Sequence, residues 1–139
     1  MTEKQVLIVK HSWSYVANQL DDTNVLFCKN LLRLLPDLKP ILKKREQEKS
    51  ASEIMSTINR IVTSLPDFSK VETEIRTIQM EYASLGMTPS DYDSAMFAFL
   101  ITLEKKTTKV WSNEARDSWV FVFASIKQYI SKPRMRAVL

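Results

Sequence analysis

The chain has 139 residues, 45% of them hydrophobic, and a formal charge of +4; it contains one cysteine, one histidine, one glycine and five prolines. That length and apolar share suit one domain with a core that needs no disulfide or structural metal. The single glycine argues against the many tight turns of sandwiches and barrels, and a lone thiol excludes an internal disulfide framework.

An all-α domain over residues 1–132 is therefore expected, followed by a basic tail at 133–139. No leader pattern and no bilayer-length apolar run is visible, which predicts a cytoplasmic protein without membrane contact. Basic residues gather at Lys43-Lys44-Arg45, at Lys105, Lys106 and Lys109, and at Lys132, Arg134 and Arg136. Such cations complement helix C-termini, and no nucleic-acid-binding motif accompanies them.

The first helix is predicted to start at a Thr2/Gln5 capping box, to carry Val6, Val9, Trp13 and Val16 on one face, and to end near Leu20. Asp21, Asp22 and Thr23 offer caps for a second helix, whose apolar residues Val25, Leu26, Phe27, Leu31, Leu32 and Leu35 nearly surround it. Between Pro36 and Pro40 only a short helical turn fits. Lys43 to Lys49 reads as a surface connection or a charged helix start.

Ser50 and Glu53 then form a second capping-box pair ahead of the stripe Ile54, Ile58, Ile61, Val62 and Leu65. After Pro66-Asp67, the residues Val71, Ile75, Ile78, Tyr82 and Leu85 define a helix that stops at Gly86, which suits a left-handed cap. Thr88-Pro89 restarts a long helix with Tyr92, Met96, Phe99, Leu100 and Leu103 inward. Ser112 opens the last helix, with Ala115, Trp119, Val122, Phe123, Ile126 and Ile130 on its inner face.

Particular residues narrow this pattern. Trp13 stands in the first helix, Pro36 lies six residues before Leu42, and Ile54–Leu65 forms the central stripe. Gly86-Met87-Thr88-Pro89-Ser90-Asp91-Tyr92 makes a characteristic junction, while Thr102-Leu103-Glu104, Trp111, Trp119 and Glu114-Ala115-Arg116 mark the closing helices. From about Thr2 to Ile130 the chain resembles the globin family, in particular bacterial single-domain globins and flavohaemoglobin globin domains.

The resemblance implies a globin-like fold of six to eight helices and assigns a place to each pocket position. It puts Tyr82 where the family keeps its proximal histidine and Ser50 at the distal position. It puts Leu42 at the haem-stacking phenylalanine and Cys28 at a second-helix position often held by an aromatic residue. Ile54, Met87, Tyr92 and Met96 complete the implied lining, around haem or a small apolar ligand.

Tyrosine is not a substitute for neutral imidazole. A phenol ligates iron as phenolate, an anionic oxygen donor that favours the ferric state. Reversible oxygen carriage is therefore not expected. The readings left open are a haem-free ligand-binding or sensory module, a ferric haem protein with Tyr82 as axial phenolate ligand and a redox, nitric oxide or peroxide-related role, and a module kept for contacts with a partner protein or a second copy. Enzyme activity is not expected. His11 reads as a surface or helix-packing residue, and Asp21-Asp22 and Glu72/Glu74 as solvated caps.

Overall fold

The computed structural model describes residues 1–40, 47–84 and 86–131, with the side chains of all of these except 47–52, 81, 82, 130 and 131. The basic tail, Leu42, Leu85 and the Lys43-Lys44-Arg45 cluster lie outside the described residues, as do the side chains of Ser50, Tyr82 and Ile130.

Helix α1, Glu3–Ser14, starts where the capping box places it: the Gln5 amide donates to Thr2 Oγ1 at 3.1 Å and the Thr2 amide donates to Gln5 Oε1 at 2.9 Å. It ends earlier than expected. The Val16 and Ala17 amides both donate to the Trp13 carbonyl, tightening the chain into a turn. Val16 nevertheless stays fully buried.

Helix α2 is Leu20–Leu34, so Asp21, Asp22 and Thr23 lie in its first turn and do not cap it. The two carboxylates still favour the positive end of the helix dipole, and the Thr23 hydroxyl donates back to the Gln19 carbonyl at 2.7 Å. The apolar surround is also incomplete, since Val25 and Leu34 are exposed. Pro36–Leu38 is one short 3-10 turn, as the proline pair requires.

Helix α3 is Gln47–Ser64. Residues 47–49 are already helical, so Ser50 lies inside the helix and is not its cap, and that stretch is the charged helix start of the two readings left open for it. The stripe itself holds, with Ile54, Ile58, Ile61, Val62 and Leu65 all buried and Met55 beside them. Asp67 accepts from the Ser69 amide to begin a 3-10 turn, Phe68–Val71, which leads into α4, Glu72–Ser84. Gly86 follows with φ +77, in the left-handed region assigned to it.

Helix α5, Pro89–Lys106, opens with a full Thr88/Asp91 capping box and Pro89 at its first turn. Helix α6, Asn113–Ser131, is capped by Ser112 Oγ, which accepts from the Ala115 amide at 3.0 Å. Among the described residues there are six such helices and no strand, an all-α architecture.

Helix α2 packs on α5 and α3, α1 on α6 and α3, and α4 on α3 and α6. At the centre Phe99 touches Trp13, Phe27, Trp119 and Phe123, with ring centroids 5.2 to 6.2 Å apart. Edge and offset contacts of this kind add stabilisation beyond simple area burial.

Candidate functional site

Two neighbouring stripes on α2 decide what faces what. Thr23, Phe27 and Asn30 follow helical spacing and are buried. This stripe meets α5, because the Phe27 ring lies edge-on to Phe99 and Asn30 Nδ2 donates to Thr102 Oγ1 at 3.0 Å. Asn24, Cys28 and Leu31 form the second buried stripe, one residue further round the helix. The other long helix packed on α2 is α3.

Cys28 on α2 and Ile54 on α3, two of the residues singled out from sequence, are both buried, on helices that pack against each other. Ile54 is 2% exposed and Cys28 8%. In the same stripe, one turn before Cys28, Asn24 is buried, and its Oδ1 has no hydrogen-bond partner in the structure. Sequence reasoning passed over Asn24. The signal was an amide among the apolar positions of a central helix.

On α4 Ile75 and Ile78 are buried, as is Val71 in the turn before it. Tyr82 has its backbone in α4 one turn beyond Ile78, and Ser50 has its backbone in α3 one turn before Ile54; these two helices are in contact. The expectations for the Tyr82 and Ser50 side chains, and for Leu42 altogether, fall outside the described residues.

Met87 and Met96 are both half-buried against the core, Met87 in the turn before α5 and Met96 on that helix. Tyr92 is buried too, and its phenol donates to the Phe123 carbonyl at 3.2 Å. That bond ties α5 to α6.

The only imidazole in the chain lies elsewhere. His11 is exposed on α1, its ring edge-on to Tyr15 at 5.4 Å. It borders an open groove of about 380 Å³ together with Lys4, Leu7 and Glu114.

Among the described residues no group of three or more His, Cys, Asp or Glu side chains is placed to hold a metal ion. No described helix is long and apolar enough to cross a membrane. Of the acidic pairs, Glu72 bonds Arg76 one turn on at 3.1 Å, as a helix-surface residue should. Glu74 departs from its expected solvated role: half-buried, it faces Arg60 of α3 at 3.8 Å and keeps Oε2 buried without a partner. Compared with models of known protein families, the chain matches none.

Proposed function

We propose that this chain is a globin-like helical module that binds a small apolar ligand between α2, α3, α4 and α5, without haem, and acts through a partner protein and not as an enzyme. The observation that carries the reading is the placement of His11. A neutral imidazole is the donor that reversible oxygen binding requires, and the only one available sits exposed at the other end of a contact with Tyr15.

The buried residues of α3, α4 and α5 fit an apolar occupant better than a porphyrin. Ile54, Ile58, Ile75 and Ile78 supply aliphatic wall, and the buried Tyr92 phenol is engaged by α6. Apolar walls with a few convergent polar groups are the usual make-up of small-molecule sites. The globin-like label comes from the sequence resemblance, and the packing of α3 on both α2 and α4 supports it.

A hemin titration followed in the visible region tests this. The expected result is no saturable Soret band at one hemin per chain, while native mass spectrometry of the purified protein finds a copurifying apolar molecule. A stoichiometric Soret band whose charge-transfer features vanish in Tyr82→Phe would overturn the proposal in favour of phenolate-ligated haem.

A further inference from the structure

We infer that the depression between the end of α1 and the turn after α5 binds a phosphate group, free or carried by a nucleoside. Tyr15, Lys105, Lys106, Thr107, Thr108 and Lys109 line it, around a volume of about 240 Å³. The inference is independent of the apolar pocket.

Charge arithmetic separates this from helix capping. Tyr15 caps the C-terminus of α1 and Thr107 that of α5. Each helix end carries about half a negative charge, so the two together call for roughly one cation. Three lysines line the depression, about two positive charges more than both ends need. None of the three takes part in the ion pairs formed by the described residues. Glu104 and His11 are the other titratable groups nearby in sequence; both are exposed and neither belongs to the lining.

Size and hydrogen bonding narrow the ligand. The volume is below the roughly 300 Å³ at which sites for larger organic ligands begin, which suits a compact multivalent anion. The Thr107 and Thr108 hydroxyls donate to carbonyls of α5, so among the lining side chains the ammonium groups and the Tyr15 phenol are the donors offered to an anion. Tyr15 is 43% exposed, and its ring is steadied edge-on by His11, leaving an aromatic surface on which a base could stack.

Isothermal titration of the full chain with sodium phosphate, and separately with adenosine monophosphate, at low ionic strength tests the site. The expected result is one saturable event per chain that weakens as chloride is added. The triple variant Lys105→Gln, Lys106→Gln, Lys109→Gln should weaken it about tenfold or more. A control triple with the same net charge, Lys29→Gln, Lys39→Gln, Lys70→Gln, should leave it unchanged, with circular dichroism showing both variants folded.

Tighter binding of the nucleotide than of phosphate, lost in Tyr15→Ala, identifies a nucleoside carrier; equal affinities identify the free anion. Absence of saturable heat with either titrant, or equal weakening by the control triple, overturns the inference.

Discussion

The two sides of α3 are held in different ways. Towards α1 a directional bond accompanies packing, with Trp13 Nε1 donating to Asn59 Oδ1 at 2.7 Å, and α1 is itself tied to α6 by Trp119 Nε1, which donates to the buried Ser12 hydroxyl at 2.8 Å. On α4 the buried residues Ile75 and Ile78 are aliphatic, and the Arg60–Glu74 ion pair joins that helix to α3. Aliphatic packing defines volume but little direction, so rearrangement to admit a ligand is easier there than around two indoles fixed at both ring and N–H.

The sharpest way to break that contrast is truncation on each side. Trp119→Ala should destabilise by about 3–5 kcal/mol, because it removes a fully buried ring and leaves the Ser12 hydroxyl without its indole donor. Ile58→Ala on the aliphatic side should fall towards the lower end of about 2–5 kcal/mol, since methyl groups can close part of the space. Urea denaturation of both variants checks the order; a larger loss for Ile58→Ala would show that the α3–α4 side is the rigid one.

A finer test concerns the polar bonds of the neighbouring α2–α5 packing. Asn30 and Thr102 form a buried pair between α2 and α5, and Thr102 Oγ1 in turn donates to the Ala98 carbonyl at 2.8 Å. A double-mutant cycle with Asn30→Ala and Thr102→Val should return a coupling of about 1 kcal/mol. Additive losses would mean that the bond contributes nothing specific.

The smallest expected effect lies in the exposed turn after α3. Donation from the Ser69 hydroxyl holds the Asp67 carboxyl below its ordinary range, with the Ser69 amide and Lys70 acting in the same direction. The folded value is depressed, so the stabilisation is present at neutral pH, begins to fade near pH 4, and is lost as pH falls through the folded value. Thermal melts between pH 6 and 3 should show a slightly steeper acid decline for the native chain than for Asp67→Asn.

Local chemistry was legible wherever one residue decides it. Thr2, Thr88 and Ser112 cap as their spacing predicts, Gly86 takes positive φ, and the apolar stripe of α3 is buried throughout. Signals that compete locally were misread. Asp21, Asp22 and Ser50 all have capping chemistry, but their helices start upstream, since a side chain able to cap is equally tolerated within the first turn or two. Long-range partners, such as Asn59 for Trp13 and Arg60 for Glu74, had no local signature. Of the candidate site, Cys28, Ile54, Met87, Tyr92 and Met96 could be placed with their side chains, and the hydroxyl of Tyr92 proved to join α5 to α6.

Gly86 carries one further consequence. A methyl group built on it would meet no atom within 4 Å, yet its φ of +77 is strained for any L side chain. Selection at this position is therefore by chirality and not by bulk. L-alanine should lose about 1 kcal/mol or more, whereas D-alanine, introduced by chemical ligation, would match the torsion and restrict the unfolded chain.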